Sequence, residues 1–369
     1  MTSLFFYGTL RFEPLLEIVL GKPVSQLEIS SAQLPGYAVQ NVAEGPFPGI
    51  VKNPDAVIAG ILVTGLTAQD LDRLDFYEGG FDYALTEVSL RDGQTAQTFI
   101  APEGAWTLHG VWHLNDWVRD WGEMTLFAAR EVMGYFGLKS RDEIAAMFPM
   151  IRTRAMAQVN AARSHHGAGT LFGKVEVHQR KRSYAKFFAV DDFQVQHERF
   201  DGTMTPVLDR AVFVVGDAAI ILPYDPVRDV VLVIEQMRMG PLARGDRAVW
   251  QYEAIAGRLD AGEEPADAAR REAREEANLH LRDVRPVAEA YASPGATSEF
   301  YYVFVGLTDL PDSSAGVGGL LSEAEDIRSH ILSFETLMAM CDNREAANTP
   351  LILAAYWLAR HRATLRATA

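Results

Sequence analysis

The sequence predicts two domains, an N-terminal α+β domain and a C-terminal α/β/α sandwich built on a mixed sheet. The chain has 369 residues, which is more than a single hydrophobic core usually organises. A glycine-containing boundary segment, residues 164–169, separates two halves that each show strand and helix patterns. In the second half, strand and helix patterns alternate, as they do where helices cover both faces of a sheet. We therefore expect domains over 1–140 and 170–369, joined by a helical linker over 141–169.

The N-terminal half is predicted to start with a short buried strand. Apolar residues 4–7 favour that strand, and Gly8 permits a tight turn directly after it. A helix follows and ends at Gly21. Proline and glycine then separate short strands, and Thr67 has the side chain of an N-cap for a further helix. The predicted bounds are 14–20 for the first helix, 33–42, 49–52 and 58–65 for the strands, and 66–77 for the second helix.

The C-terminal half is predicted to begin with antiparallel strands and to continue as alternating strands and helices. A turn at 201–203 joins two of the first strands. A second turn, at 224–226, separates two strands that are apolar enough to be buried. Helical periodicity at 142–163 precedes this half. The expected strands are 186–190, 193–200, 204–215, 218–222, 230–236, 287–291 and 300–306, and the expected helices are 266–277 and 350–360.

Composition excludes several classes of function. The formal net charge is −15, so a general nucleic-acid or anionic membrane surface is not expected. The single cysteine, Cys341, excludes an internal disulfide and a cysteine-rich zinc site. The first residues lack a basic segment and a cleavage motif, and no apolar run is long enough to span a bilayer. We therefore expect a cytoplasmic protein with no nucleic-acid or membrane partner.

The stretch 257–279 carries charged residues at fixed spacing. Pro265 favours a helix start, and Glu272, Glu275 and Glu276 then lie at i, i+3 and i+4 on one helix face. Like charges so close repel each other, which favours a compensating cation. Hard carboxylate oxygens suit Mg²⁺ or Mn²⁺. The alternative is a solvated face of an alanine-rich helix.

This stretch resembles the Nudix box, G-x5-E-x7-R-E-U-x-E-E-x-G-U. One position departs from the pattern, because Asn278 stands where the family has a second glycine. Asparagine is the next best residue for the left-handed conformation required there. The resemblance implies metal ions held by the three glutamates with the carbonyl of Ala256, and it gives Arg271 the role of orienting one carboxylate. The matching positions are Gly257, Glu263, Arg271, Glu272, Ala273, Glu275, Glu276 and Leu279.

The C-terminal half as a whole resembles the ADP-ribose pyrophosphatase branch of that family. Its landmarks are LPYDPVRDVVLVIEQMR, the box, YASPGATSE and SEAEDIR, in the family's order. The resemblance implies a homodimer with exchanged N-terminal strands, and a substrate that is ADP-ribose or another ADP-sugar. It assigns Phe187 to adenine, Arg210 and Arg238 to base or phosphate, and Glu253 to a position beside the metals. From the residues alone, Phe187 could equally belong to a core strand, and both arginines could close surface ion pairs.

The residues for proton transfer are expected outside the box. In the branch that this half resembles, a glutamate from a mobile loop after the box is the general base. The glycine-rich run 315–319 looks like that loop, with Glu323 as the best match and Glu325 as the alternative. Glu299, which follows the turn 293–295, matches a further acidic residue close to the pyrophosphate.

The N-terminal half resembles the γ-glutamylcyclotransferase-like family, which includes the AIG2-like proteins. The resemblance rests on FFYGTLR, LPGY, GILVTGL and LDRLDFYEGGFDY. It implies a mixed sheet or small barrel with helices, and a turn of Tyr7, Gly8, Thr9 and Leu10 that holds the amino-acid end of a γ-glutamyl amide. It also implies that Glu78 moves the protons, since one carboxylate can serve both transfers of the cyclisation. Glu78 could equally be a loop carboxylate, which leaves a structural role open for this half.

The sequence thus predicts a Mg²⁺-dependent hydrolase, with Mn²⁺ as an alternative metal, that converts ADP-ribose to AMP and ribose 5-phosphate. Two alternatives remain, a γ-glutamyl amide cyclotransferase with an accessory Nudix domain and a non-catalytic ADP-ribose-binding regulator. The intact set of carboxylates disfavours the regulator. The pairing of the two halves is similar to proteins labelled as tellurite-resistance proteins, a label that states no chemistry.

Overall fold

The computed structural model describes residues 2–79, 83–163, 173–319 and 326–368. The chain divides into two compact units, Met1–Ala168 and Gly169–Ala369. Each unit has its own sheet and its own buried apolar core. The boundary segment expected at 164–169 lies outside the described residues, as do the two glutamates expected to supply the general base. No helix in the described part of the chain is long and apolar enough to cross a membrane.

The first unit is built on one six-stranded mixed sheet. Its elements in chain order are β1 (Thr2–Phe6), α1 (Glu13–Leu20), β2 (Glu28–Val42), β3 (Gly45–Leu66), α2 (Ala68–Glu78), β4 (Ala84–Ser89), β5 (Thr95–Ile100), β6 (Leu108–Val111), α3 (Leu114–Trp117), α4 (Glu123–Met133) and α5 (Arg141–Arg163). The strand order is β4-β5-β1-β3-β2-β6. Strand β1 pairs in parallel with β5 and antiparallel with β3.

Strand β1 lies inside this sheet because its side chains are apolar on both faces. Leu4 and Phe5 are fully buried, which agrees with the buried strand expected there. Gly60 of β3 accommodates the Phe5 ring, since a Cβ at that position would lie 2.4 Å from the ring. The predicted helix after the turn is also present, and it ends at Gly21 in the left-handed conformation, with φ of 71°.

Strand β3 corrects the expectation of two short strands at 49–52 and 58–65. It is a single strand of 22 residues, Gly45–Leu66, that pairs with β2 along most of its length. The prolines and glycines inside it do not end it, because register shifts between Pro35 and Tyr37 of β2 absorb the irregularity. Pairing with the long strand β2 therefore keeps β3 continuous through prolines and glycines that usually end a strand.

Helix α5 corresponds to most of the segment expected as a linker over 141–169, but it packs inside the first unit. Its Arg154 side chain is fully buried and forms an ion pair with Glu131 of α4, whose side chain is 8% exposed. The guanidinium donates from Nε to both carboxylate oxygens at 3.2 Å. A buried ion pair of this kind holds two helices in one arrangement, because separating it would leave an uncompensated charge.

The second unit contains an eight-stranded sheet and a separate three-stranded sheet. Its elements are β7 (Val175–Ala185), β8 (Ala189–His197), β9 (Leu208–Val214), β10 (Ala218–Asp225), β11 (Val230–Met237), α6 (Met239–Arg244), β12 (Trp250–Glu253), β13 (Ile255–Arg258), α7 (Pro265–Ala277), β14 (Asp283–Tyr291), β15 (Phe300–Leu307), β16 (Gly316–Gly318), β17 (Ile327–Ser333), α8 (Phe334–Asp342) and α9 (Thr349–Ala367). The larger sheet has the order β14-β15-β10-β11-β17-β16, with β12 paired to β11 and β13 to β10. The smaller one has the order β7-β8-β9.

The larger sheet is the middle layer of an α/β/α sandwich. Along β10, Ile220 and Leu222 pack in a core with α8 and α9. The alternate residues Ala219 and Ile221 pack in a second core with α7. A strand covered on both faces has this continuous apolar sequence. The predicted sandwich with a mixed sheet is therefore confirmed, since β10 is parallel to β15 and antiparallel to β11 and β13.

Several elements of the second unit were not expected from the sequence, among them β7 and α8. Strand β7 is mostly exposed and polar, so it lacks the apolar alternation that indicates a strand. Helix α8 has an N-cap, Ser333, whose hydroxyl accepts from the Thr336 amide at 3.0 Å. Helix α9 extends to Ala367, beyond the expected end at residue 360.

Candidate active sites

Helix α7 carries the glutamates expected to bind metal, and local sequence fixes both of its ends. Pro265 lies in the first turn, where its missing N–H costs no hydrogen bond. Asn278 ends the helix in the left-handed conformation, with φ of 51°. Its amide donates to the Arg274 carbonyl, and the Leu279 amide donates to that of Ala273, both at 3.0 Å. Asparagine thus closes the helix as expected for a substitute of the family's glycine.

Arg271 clamps the box loop to the helix. Its guanidinium donates to both oxygens of Glu263, from Nε at 2.9 Å and from Nη2 at 2.8 Å. Nη1 donates to Glu272 at 2.6 Å and to Glu275 at 3.1 Å, and Nη2 also reaches the Arg258 carbonyl at 3.0 Å. Burial raises the pKa of Glu263, but the Arg271 hydrogen bonds outweigh it and leave the pKa below its ordinary value. One arginine therefore holds three carboxylates.

Glu272 lies directly against the backbone of β13. A Cβ added to Gly257 would lie 1.8 Å from the Glu272 carboxylate oxygen Oε1, so only glycine fits at that position. Gly257 is held there by its pairing with Ala219 of β10. Ala256, whose carbonyl was expected to bind metal, is the preceding residue on the same strand. Glu276, one helical turn after Glu272, is 4% exposed. The glycine thus lets the Glu272 carboxylate approach the strand.

The donor chemistry here suits a divalent metal ion. Carboxylate oxygens from one helix face beside a strand backbone are hard ligands of the kind that Mg²⁺ and Mn²⁺ prefer. Among the described residues, no three acidic, histidine or cysteine side chains converge closely enough to cage an ion. Glu272 and Glu275 are instead both ion-paired with Arg271, at 2.6 Å and 3.1 Å. Mg²⁺ is commonly held by one or two carboxylates together with substrate phosphates, so a complete cage is not required.

Glu253 and Arg238, both expected at the substrate, are partners of each other. Arg238 donates to Glu253 Oε2 from Nε at 2.9 Å and from Nη2 at 2.6 Å. The other oxygen, Oε1, accepts from Asn348 Nδ2 at 3.1 Å, at the start of α9. Glu253 is 7% exposed, whereas the Arg238 side chain is 41% exposed. The glutamate is therefore fixed, and the arginine keeps an exposed face.

Glu299 lies close to that pair. Its carboxylate accepts a hydrogen bond from the Tyr301 hydroxyl at 3.0 Å. Burial raises the pKa of Tyr301, and the charges of Glu299 and Glu253 raise it further. The charges of both carboxylates, Glu299 and Glu253, thus act on the Tyr301 hydroxyl. The structure brings Glu299, Glu253 and Arg238 together at this part of the sheet.

Phe187 and Arg210 belong to the three-stranded sheet. Phe187 lies in the turn between β7 and β8, is 52% exposed, and has the Arg258 guanidinium carbon 4.3 Å from its ring centroid. Arg258 directly follows Gly257, so the ring contacts the strand that carries the box glycine. Arg210 of β9 is opposite Phe193 in the sheet, and its Nη1 donates to the Asp209 carbonyl at 2.8 Å. The alternative interpretation placed Phe187 in a core strand. Its exposure shows that it is not a core residue.

Glu323 and Glu325 lie outside the described residues. The glycine-rich run before them, expected as a mobile loop, contains the short strand β16, which pairs with β17. Gly318 of that strand approaches α7 closely, since a Cβ there would lie 2.8 Å from the Glu276 carbonyl oxygen. The chain thus leads into the 320–325 segment from the C-terminal end of the helix that carries the glutamates.

The first unit contains a pocket at the end of β1. A cavity of about 110 Å³ has room for a group of several heavy atoms. The four residues of the expected substrate turn all line it, and Glu78, at the last position of α2, also lines it. Thr67 starts that helix with a capping box to Asp70, so the predicted N-cap is correct. The turn residues are Tyr7, Gly8, Thr9 and Leu10.

Glu78 is a carboxylate in apolar surroundings. Burial raises its pKa from an ordinary value of 4.5 to about 7. The same environment raises the pKa of Tyr7, first through burial and then through Tyr83 and Glu78. Tyr7 is fixed by donating its hydroxyl hydrogen to the Phe99 carbonyl at 3.0 Å. A carboxylate with a pKa near neutrality can accept and return protons at physiological pH.

Much of the lining of this pocket was not identified from the sequence, including Trp117, Phe148 and Arg152. Trp117 comes from α3, and Phe148 and Arg152 come from α5. The last two are four residues apart on a helix and so share one face. That spacing was visible in the sequence, but the segment was interpreted as a linker.

Comparisons with known proteins agree with this division. Residues 4–119 match the family model described as gamma-glutamyl cyclotransferase, AIG2-like, and residues 215–350 match the NUDIX domain model. An ADP-ribose pyrophosphatase of Escherichia coli is 39% identical over 197 residues, which cover 53% of this chain and 93% of the relative. One of Haemophilus influenzae is 31% identical, over 52% and 89%. A GDP-mannose pyrophosphatase of Escherichia coli is 32% identical, over 39% and 74%.

A sandwich that holds arginine-clamped glutamates against a glycine of the sheet is the scaffold of a Nudix hydrolase. The chain belongs to the Nudix family, and it carries an N-terminal AIG2-like γ-glutamylcyclotransferase domain. Both family resemblances seen in the sequence are thereby confirmed. None of the relatives given above bears the tellurite-resistance label.

Proposed function

We propose that this protein hydrolyses the diphosphate bond of ADP-ribose, or of a related ADP-sugar, to AMP and a sugar phosphate. The observation that carries the proposal is the contact of Glu272 with Gly257, under the Arg271 clamp. That contact requires glycine and orders the carboxylates beside a strand, which a merely solvated helix face would not need. The names of the relatives that are 39% and 31% identical support the adenosine-containing substrate.

The reaction is the attack of water on a phosphorus of the diphosphate. A P–O bond forms to the water oxygen, the P–O bond to the bridging oxygen breaks, and that oxygen leaves on the other phosphate. A divalent ion, Mg²⁺ or Mn²⁺, would neutralise phosphate charge and lower the pKa of the attacking water. Glu272, Glu275 and Glu276, with the Ala256 carbonyl, would hold it. Arg271 would keep Glu272 in place.

The proton of the attacking water requires a base. We assign this role to Glu323, with Glu325 as the alternative, because β16 leads into their segment from the end of α7. Glu299, hydrogen-bonded to Tyr301, would lie near the diphosphate and take no part in the breaking or forming of bonds. Its proposed role is electrostatic and positional.

The adenosine end would be bound by the remaining predicted residues. The exposed face of Arg238, fixed by Glu253, suits a phosphate or base. The aromatic ring of Phe187 is half exposed and can stack on adenine, and Arg210 is also exposed. We propose that the three-stranded sheet, which exposes several apolar side chains, packs on a second copy of the chain. These side chains are Val175, Val177, Tyr184, Phe188 and Phe213.

The experiment is incubation of the full chain with ADP-ribose and Mg²⁺ in H₂¹⁸O, with products read by mass spectrometry. The expected products are AMP and ribose 5-phosphate in equal amounts, with one ¹⁸O in one of them. Release should stop with a chelator and return with added Mg²⁺ or Mn²⁺. GDP-mannose serves as the matched substrate, because one relative is named for it. Absence of metal-dependent AMP release would overturn the proposal, and faster turnover of GDP-mannose would overturn its adenosine assignment.

We propose a second activity for the first unit, the cyclisation of a γ-glutamyl amide to 5-oxoproline. The observation that favours it is Glu78, an acid with a pKa raised to about 7 in a pocket lined by the Tyr7–Leu10 turn. The α-amine attacks the γ-carbonyl carbon and forms the ring C–N bond, while the amide C–N bond breaks. Glu78 takes the proton from the α-amine and gives it to the leaving amine.

The test is release of 5-oxoproline from γ-glutamyl-alanine by the wild type and by Glu78→Gln. Loss of the carboxylate should abolish release, whereas the exposed Glu87→Gln on β4 should leave it unchanged. An inactive wild type would leave this unit a binding or structural module. Undiminished release by Glu78→Gln would remove Glu78 from the mechanism.

A further inference from the structure

Helix α9 begins where the match to the Nudix model ends, and its packing fixes the position of its first turn. The model match ends at residue 350, and α9 runs from Thr349 to Ala367. Leu351 of this helix is fully buried in the core that also contains Ile220 of β10 and Val231 of β11. A helix packed on the central strands in this way can hold a side chain at its start in a defined place.

Asn348, the N-cap of α9, forms two different side-chain hydrogen bonds. Its Oδ1 accepts from the Leu351 amide at 2.9 Å, which is the ordinary bond of an N-cap. Because that bond requires the oxygen, it also fixes the orientation of the side-chain amide. Nδ2 then donates to the Glu253 carboxylate oxygen Oε1 at 3.1 Å. The first turn of α9 is thus bonded to a buried carboxylate of β12.

Glu253 is held by different partners at its two carboxylate oxygens. Oε1 accepts from Asn348, whereas Oε2 accepts from Arg238, from Nε at 2.9 Å and from Nη2 at 2.6 Å. Gln236 Nε2 also donates to Oε2, at 3.4 Å. The residue is 7% exposed, so protein donors rather than bulk water set the orientation of its carboxylate. That orientation in turn sets the position of the Arg238 guanidinium, because both of these arginine bonds end on one oxygen.

Asparagine suits this position for a reason that helix capping alone does not supply. Asparagine, aspartate and serine cap helices about equally well. Of the three, only asparagine presents an N–H group beside the capping oxygen, and aspartate would bring a second negative charge to Glu253. The N-cap of α8 gives the comparison, since the two hydrogen bonds described for the Ser333 hydroxyl both join it to Thr336. That cap stays within its own helix, whereas Asn348 reaches a residue of another element.

We propose that Asn348 is a positioning residue of the nucleotide site in the second unit. Its Nδ2 donor holds Glu253, and Glu253 holds the Arg238 guanidinium where it binds the adenosine diphosphate group. Asn348 itself contacts neither the substrate nor a metal ion. The start of α9 thereby belongs to the substrate site. This inference rests on the ADP-sugar hydrolysis proposed above and adds to it a residue that the sequence did not indicate.

The experiment measures kcat and KM for ADP-ribose with Mg²⁺ in Asn348→Ser and Asn348→Asp, which keep a capping oxygen but lose the Nδ2 donor. KM should rise by about tenfold in Asn348→Ser and by at least as much in Asn348→Asp, with kcat nearly unchanged. Ser333→Ala is the matched control. It removes the N-cap of α8, so it should lower the thermal unfolding midpoint and leave KM at the wild-type value. A wild-type KM in both Asn348 variants would overturn the proposal.

A double-mutant cycle with Arg238→Gln separates positioning from a merely structural role. Because Asn348 acts on Arg238 through Glu253, Asn348→Ser should raise KM in the wild-type background and cause no further rise in the Arg238→Gln background. Equal fold-changes in the two backgrounds would leave Asn348 with a structural role only and overturn the proposal. An unchanged KM in Arg238→Gln would overturn it as well.

Calorimetry on the full chain distinguishes failure of this inference from failure of the proposed hydrolysis. If AMP is released and the cycle is additive, only the positioning role fails. If the wild type releases no AMP, the hydrolysis proposal fails, and dissociation constants for ADP-ribose in the presence of Mg²⁺ take the place of KM in the same cycle. Absence of both binding and turnover of ADP-ribose overturns both.

Discussion

The two candidate sites of this chain are built in opposite ways. The Nudix site is a platform of ionised groups, in which Arg271 joins three carboxylates on and beside one helix. The cyclotransferase-like site is a mostly apolar pocket whose described lining includes one acid, Glu78, with side chains from distant parts of the chain. In the first site, nearby cations lower the pKa of a carboxylate such as Glu263. In the second, burial raises it.

This difference matches the chemistry proposed for each site. Carboxylates that hold a metal ion have to stay ionised, so a guanidinium that favours the charged form serves them. A carboxylate that accepts and returns a proton works best with a pKa near the working pH. The same side chain, glutamate, is thus adjusted in opposite directions by its surroundings.

Among changes that leave the glutamates themselves in place, the largest expected effect is at the contact between strand and helix in the Nudix site. Gly257→Ala would place a methyl group where the Glu272 carboxylate now lies. Displacing that carboxylate by about 1 Å is expected to lower kcat/KM for ADP-ribose by about 100-fold. Gly240→Ala is the control, because nothing lies within 4 Å of an added Cβ there. Unchanged AMP release by Gly257→Ala would mean that the observed contact is not needed for catalysis.

A smaller effect is expected from pH at the pocket of the first unit. The pKa of Glu78 is about 7, and the deprotonated form is the base. Release of 5-oxoproline, measured as kcat/KM, should therefore fall by about tenfold for each pH unit below 7 and level off above it. A break near the ordinary glutamate value of 4.5 would contradict the raised pKa.

The sign of the stability effect at Glu78 follows from the same pKa. A folded pKa above the unfolded value means that ionisation of Glu78 opposes folding. The wild type should therefore lose stability as pH rises from about 4.5 through about 7. Glu78→Gln should lack this loss, which also gives a check that the inactive variant is folded.

The smallest predicted effect concerns the end of α7. Asn278→Ala places an ordinary L-residue at φ of 51° and is expected to destabilise the Nudix unit by about 1 kcal/mol. Asn278→Gly should be neutral or slightly stabilising, because glycine adopts this conformation without strain. The measurement is the thermal unfolding midpoint of each variant. Equal midpoints for the alanine and glycine variants would show that the left-handed cap contributes nothing.

The sequence was most informative where the determinants are local. The carboxylate face of α7 depends only on helical spacing, and the cap at Asn278 depends only on which residues tolerate a positive φ. The turn after β1 and the capping box at Thr67 are local in the same sense. Such features can be predicted because each is decided within a few residues of chain.

Features that depend on pairing between distant residues were not predictable in the same way. The partner of Arg238 turned out to be Glu253, fifteen residues on and across a strand pair. Strand β3 continues through proline and glycine because β2 pairs with it. Arg152 lines the Glu78 pocket because α5 packs inside the unit, where its Arg154 pairs with Glu131. No local pattern contains these relationships.

The central claim, that the glutamates of α7 are the metal platform for hydrolysis, is tested most directly by one substitution with its control. Glu276→Gln removes a buried carboxylate of the platform, and Asp267→Asn removes an exposed one from the first turn of the same helix. AMP release from ADP-ribose with Mg²⁺ should fall by about 1,000-fold or more in Glu276→Gln and stay near wild type in Asp267→Asn. Comparable AMP release by Glu276→Gln and the wild type, at equal stability, would contradict the account.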